Sequence, residues 1–381
     1  MRVDVRMLLL ILLVCAGVTR HTQAATLTVE TDGSGDYMII QDALDAAALG
    51  DSILIGPGRF DTFRPAKSVV DGTDIASIAW VTTTNLTVVG AGRDLTVLGP
   101  STPTEMSDGL YTNSLYIDGG ASTTVKGLHF ENTSVIVTIR EQSILEDCRI
   151  TRVPLISSFG VGLVGVQGVE IRGTEFIGPD AILTGSGTSD LLVEDCTFDD
   201  ATLNGQAVVI GNGAQDCMIR RCTFTRGGAS IQFGLGGTGW VEDCTFENVR
   251  VGAIDLSQGS AVVRRCHISG TRMGLAASSG RLEVYDTVVE GCTQGTLIAW
   301  SDVLIRNSHL LHGSAPTVLG WASVGETIDL RYNWWGTTDT TQIQSWIDDR
   351  EGTVLWSPIA DAPLPSEEES MSEIKAKYGR P

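Results

Sequence analysis

The sequence predicts an all-β fold, a parallel β-helix of about eleven stacked coils with an N-terminal capping helix. Three observations carry that prediction. A six-residue phrase recurs at nearly constant spacing, one of its positions alternates in charge from copy to copy, and another is small in eight of nine copies.

The copies read VKGLHF at 125–130, LEDCRI at 145–150, IRGTEF at 171–176, VEDCTF at 193–198, IRRCTF at 219–224, VEDCTF at 241–246, VRRCHI at 263–268, VYDTVV at 284–289 and IRNSHL at 305–310. Their last residues fall 20 to 26 positions apart. Between them lie short β-branched and aromatic runs broken by Gly, Asn, Asp and Ser, without helical periodicity, which favours strands. A single coil of about 22 residues cannot bury its own apolar side, whereas stacked coils share one continuous core.

Val193 and Phe198 would face opposite sides of an unbroken strand, so burying both requires a bend between them. The third position of the phrase marks that bend with Gly127, Asp147, Gly173, Asp195, Asp243, Asp286 and Asn307, residue types that tolerate left-handed backbone. Arg221 and Arg265 occupy the same position and stand outside that rule.

The position before the bend reads Lys126, Glu146, Arg172, Glu194, Arg220, Glu242, Arg264, Tyr285 and Arg306. With coils about 4.8 Å apart, the charges from Glu146 to Glu242 each lie between two opposite ones, and a one-coil slip sets like against like. Exposed pairs contribute only about 0.2–1 kcal/mol each, so the ladder specifies register more than it adds strength. After the bend come Leu128, Cys148, Thr174, Cys196, Cys222, Cys244, Cys266, Thr287 and Ser308, expected to point inward. Stacked neighbours sit beyond the usual disulfide Cβ separation of about 3.5–4.5 Å, so most of these cysteines are read as buried thiols.

At the N-terminal end, IIQDALDAAALG at 39–50 carries an apolar stripe of Ile40, Leu44 and Ala47 or Ala48, with Gly50 as the stop and Ser34 or Asp36 at the start. DSILIGPG at 51–58 opens the first coil and NLTVVGAG at 85–92 adds an early rung. The stretch TVETDGSGDYMIIQDALDAAALGDSILIGPGRF at 28–60 resembles the entry segment of the pectin-lyase-like superfamily of right-handed β-helices. With the repeats, that resemblance spans nearly all of the chain after its leader. It implies a right-handed coil, and an activity drawn from lyases, hydrolases, esterases, epimerases or non-enzymes.

The opening residues carry Arg2 and Arg6, an apolar run at 7–18 and TQAA at 22–25, the pattern of a secretory signal over 1–24 cleaved near Ala24. The apolar run is too short to span a bilayer, and no later segment resembles a transmembrane helix. The expected organisation is a β-helix domain over 25–361 and a loose tail over 362–381, in a secreted, extracellular or periplasmic protein. Trp321, Trp334, Trp335, Trp346 and Trp356 cluster toward the C-terminal end, as a cap on the last coil or as a platform for sugar rings. A formal net charge of −20 excludes nucleic acid as a partner and disfavours a broad polyuronate-binding surface. Nothing in the sequence sets the oligomeric state.

The resemblance implies catalytic words that differ from family to family. GSGDY at 33–37 and GQAVVI at 205–210 are similar to pectinesterase segments, but the QDTL word is missing and Ser230 stands where that family has an Asp. Polygalacturonase acid clusters find a counterpart only in Asp199-Asp200, which reads as a solvated turn. Arg152-Val153-Pro154 matches the first half of the pectate lyase word RxPxxR, with Ser157 replacing the second Arg, which makes Arg152 a candidate base. On another strand of the coil Asp255 follows Gln232 and is the candidate for a cation, Ca²⁺ by the resemblance, or for a sugar hydroxyl. His267 shares an outward column with His309 and is the third catalytic candidate. The functional expectation is a secreted protein that binds or acts on an extracellular polysaccharide, with lyase or glycosidase chemistry as the enzymatic form. The rival is a non-catalytic surface or envelope protein.

Overall fold

The computed structural model describes residues 24–67, 72, 74–103, 111–120, 122–152, 159–200, 205–314, 316–322 and 325–363. The expected signal and tail lie outside them apart from Ala24, Ala362 and Pro363. The described chain is a right-handed parallel β-helix with three strand faces. One coil shows the plan: Ala229–Gly234 lies on a first face, Thr238–Glu242 on a second, and after the bend at Asp243, Thr245–Glu247 on a third. Twelve parallel strands stack on the first face, fourteen on the second and eleven on the third.

The second face thus carries about fourteen turns where about eleven were expected. The extra rungs, Thr26–Val29 at the start and Ile328–Asp329 and Val354–Leu355 at the end, lack the phrase and so the repeated letters that made the central coils visible.

All nine bends adopt left-handed backbone, with φ between 50° and 63° from Asp147 to Gly127. Val193 and Phe198 are both buried, as the bend requires. Phe176, Phe198, Phe224 and Phe246 form a ring stack with centroids 4.6–4.7 Å apart, so one aromatic per coil fills the core beneath the third face. Arg221 and Arg265 are left-handed too, at φ 52° and 51°, a conformation that costs a non-glycine residue about 1–2 kcal/mol. Arg221 bonds Asp195 at 2.8 Å and Arg265 bonds Asp243 at 2.7 Å, each on the preceding coil, and these bonds offset the strain.

The ladder register is as read: Lys126 pairs with Glu146, then Arg172, Glu194, Arg220, Glu242 and Arg264 follow in file. The small column is buried throughout, and every member but Leu128 makes the same hydrogen bond. Cys196, Cys222, Cys244 and Cys266 donate to the carbonyl two residues back at 3.2–3.3 Å, as Thr174, Thr287 and Ser308 do at 2.9–3.1 Å. The column therefore selects a small donor that satisfies the carbonyl left by the bend. Among the described residues the seven cysteines are all free thiols.

Helix α1, Ile40–Ala46, covers the first coil with Ile40, Ala43 and Leu44 buried. Its start differs from expectation. Ile39 is the N-cap without a side-chain bond, while Asp36 receives Thr28 N and Oγ1 at 2.9 and 2.7 Å and Ser34 donates to Asp32 at 2.6 Å. At the other end α2, Thr340–Ser345, is capped by Asp339. Trp335 is fully buried, Trp346 stacks on His312 at 4.4 Å and Trp356 packs partly against the core, which gives these three the capping role. Trp321 instead leans on the half-exposed Trp300 at 5.1 Å.

Candidate functional site

The three candidates from the sequence sit in three separate places. Asp255 points outward on the first face between Gln232 and Ala276; Gln232 Nε2 donates to it at 3.4 Å, and burial pushes its carboxyl up from the ordinary range. His267 lies on the third face and bonds Glu290 of the next coil at 2.9 Å, with His309 two rungs further on. Arg152 lies at the turn after the third face, where its guanidinium donates to Asp180 and to the Pro179 carbonyl at 2.7 Å each. Val153, Pro154 and Ser157 of its sequence word lie outside the described residues. The fold brings none of the three together.

Asp199 and Asp200 do not form a free acid pair. Asp199 accepts from Arg226 at 2.7 Å, and Asp200 is buried with Ser230 around a cavity of about 10 Å³, room for about one water. Among the described residues no group of three or more His, Cys, Asp or Glu side chains is placed to hold a metal ion. A charged cluster that the sequence reading missed joins Arg59 to Glu131 at 2.7 Å, Arg149 to Glu175 and Asp94 at 2.6 Å, and His129 to Thr151 at 2.9 Å. Burial pushes His129 down, and both carboxylates beside it are paired with arginines. The Arg149–Asp94 bond ties the 91–95 loop to the third face.

A different feature has the form of a binding site. On the second face the outward position before each phrase reads Ile144, Glu170, Leu192, Met218, Trp240, Val262, Glu283 and Leu304 in consecutive rungs. Strand alternation aims these side chains at solvent, yet four in a row, Leu192 to Val262, are apolar. They form an apolar file parallel to the coil axis, and at its Trp240–Val262 end the surface dips into a trough. The charge ladder lies two residues along each strand on one side of the file; Thr238, Ser260 and Arg281 lie two residues back on the other and, with Asp216, line the trough. A depression of about 260 Å³ opens there, lined by Asp216, Thr238, Trp240, Ser260, Arg281 and Glu283 among others. Arg281 and Tyr285 donate to Glu283 at 2.7 and 2.8 Å and hold its carboxyl below the usual range.

The trough was legible in principle. An apolar file at an outward strand position is the signal, and it required fixing which side of each strand faces the core.

Residues 206–329 match the family described as right handed beta helix region. A search of curated proteins found no match. Among solved structures, the catalytic unit of an α-1,3-glucanase from Streptomyces thermodiastaticus is 15% identical, with a TM-score of 0.51, covering 90% of this chain and 72% of its own. An exopolygalacturonase from Yersinia enterocolitica is 10% identical at a TM-score of 0.46, covering 90% and 79%. A double mutant of a periplasmic alginate epimerase is 9% identical at 0.46, covering 82% and 77%. What the glucanase likeness shows is the fold.

Proposed function

We propose, for a chain with the right-handed parallel β-helix fold of the pectin-lyase-like type, that it is an exported protein binding a polysaccharide in the Trp240 trough. The observation that carries this reading is the apolar file Leu192, Met218, Trp240 and Val262 on a solvent-facing strand position, where an open sheet face is ordinarily polar. An indole offers a flat apolar surface to a pyranose ring, and the hydroxyl, carboxylate and guanidinium groups of Thr238, Ser260, Asp216 and Arg281 suit sugar hydroxyls. By its name the glucanase that shares the fold acts on a glucan, which supports a saccharide as the ligand class. Export rests on the signal-like segment at 1–24. Among the described residues no helix is long and apolar enough to cross a membrane.

Binding without turnover is the form the trough supports. Paired-acid glycoside hydrolysis needs carboxyls about 5–9.5 Å apart, whereas Asp216 and Glu283 stand three rungs from each other, about 14 Å at the stacking distance. Asp255 has no second acid within three rungs on its own file. The test is titration of the purified chain and its Trp240→Ala variant with a panel of linear polysaccharides. A loss of affinity of about tenfold or more in the variant, with circular dichroism unchanged, supports the reading. Equal affinity of the two proteins sinks it.

A further inference from the structure

Resting on that reading of the trough, we propose that its ligand is an uncharged polysaccharide and that polyuronates are rejected. The arginines along the apolar file are bonded to the protein's own carboxylates. Arg172 lies 2.8 Å from Glu170, Arg220 bonds Glu194, Arg221 lies 2.8 Å from Asp195, Arg264 lies 3.9 Å from Glu242 and over the Tyr285 ring at 5.5 Å, Arg265 lies 2.7 Å from Asp243, and Arg281 lies 2.7 Å from Glu283. The four lysines, at 67, 126, 375 and 377, are remote in sequence from the Leu192–Val262 file. By contrast Asp190 and Asp216 enter no ion pair among the described residues; Asp190 accepts from the Gln167 amide at 2.7 Å.

A polyuronate brings one carboxylate per sugar. Seated in the trough it would face Asp216, and could gain a guanidinium only by breaking an existing pair, all within a field set by a net charge of −20. A neutral sugar brings hydroxyls alone, which donate to Asp216 and exchange hydrogen bonds with Ser260 without breaking an ion pair. The paired charges then act as fixed dipoles that orient hydroxyls, and Asp216 as an acceptor that excludes the wrong class.

The experiment titrates the full chain with neutral linear glucans, xylan and mannan, and separately with polygalacturonate and alginate. Each titration is made at low and high salt, with Ca²⁺ or a chelator, and in parallel on Trp240→Ala and Asp216→Asn. The expected result is a neutral glycan bound at least about tenfold more tightly than either polyuronate, with affinity insensitive to salt and lost in Trp240→Ala. In Asp216→Asn the gap to the polyuronates should narrow. A polyuronate bound as tightly as the neutral glycans, with or without Ca²⁺, and dependent on Trp240, overturns the assignment of charge class while leaving the trough intact. Binding indifferent to Trp240, or no binding to any polymer, overturns both.

Discussion

Glu194 accepts bonds from two arginines of the next coil, Arg220 on the rail and Arg221 at the bend, while Arg172 approaches from the coil before at 3.6 Å. Its side chain is only 8% exposed, so this carboxylate joins three coils in a half-dry setting. Replacing it by Ala leaves one of these arginines at a strained bend without its second acceptor. Glu194→Ala is expected to cost about 1–2 kcal/mol in urea unfolding. A change within error would show that the ladder adds nothing once the coils are stacked.

Acid should weaken the fold in a defined window. Burial pushes the Glu194 carboxyl up, but the bonds from Arg220 and Arg221 outweigh it and keep it below the ordinary value. Arg265 holds Asp243 down, and Arg331 with Arg306 hold Asp329 down. A carboxyl lower in the folded than in the unfolded chain adds stability above its unfolded pKa, here 3.8 to 4.5, and loses it as pH falls through the folded value. Thermal melts should therefore be flat from neutral pH to about 5 and fall below about 4. A chain that grew more stable between those points would contradict the network.

Asp255 has the opposite sign. Burial raises its folded pKa, so its contribution is full below the unfolded value and is lost as pH rises through the folded one. Asp255→Asn keeps the partner for Gln232 and removes the charge. It is expected to raise stability at pH 7 and to change little in acid. Destabilisation at pH 7 would mean that the charged form has a partner of its own.

The cysteine column should tolerate oxygen and resist reagents. Burial pushes the Cys148 thiol up to about 12. Cys196, Cys222, Cys244 and Cys266 each commit the S–H to a backbone carbonyl. All four are shut away from solvent. Cys222→Ser keeps a donor to the Arg220 carbonyl and should cost under about 1 kcal/mol, whereas Cys222→Ala loses the bond and leaves a void, at about 1–2 kcal/mol. In the native chain an aromatic disulfide reagent should leave these thiols unmodified until denaturant is added. Rapid labelling without unfolding would show that the coils open.

The central coils were legible because identical positions lie on top of one another, so a physical requirement appears as a repeated letter. Left-handed backbone at the bend selects Gly, Asp or Asn, the orphan carbonyl selects a small donor, and the core selects Phe at 176, 198, 224 and 246. Arg221 and Arg265 broke that rule because their ion pairs to Asp195 and Asp243 lie a coil away in space and about 22–26 residues away in sequence. The rungs Thr26–Val29, Ile328–Asp329 and Val354–Leu355 were missed because none of them carries the repeated phrase. The trough escaped notice because an apolar residue in a strand is read by default as facing the core, and only the alternation beside Val193, Ile219 and Val241 turns Leu192, Met218 and Trp240 outward. Asp255, His267 and Arg152 were chosen for their chemistry one at a time, and chemistry at single positions carries no information about proximity.

The measurement that reaches the centre of this account is a crystal structure of the chain soaked with a neutral linear oligosaccharide. The account predicts pyranose density lying flat against the Trp240 indole and running along Met218 and Val262, within hydrogen-bond reach of Asp216 or Ser260. Sugar density on another face, with the Trp240 trough holding solvent at a saturating concentration, would contradict it.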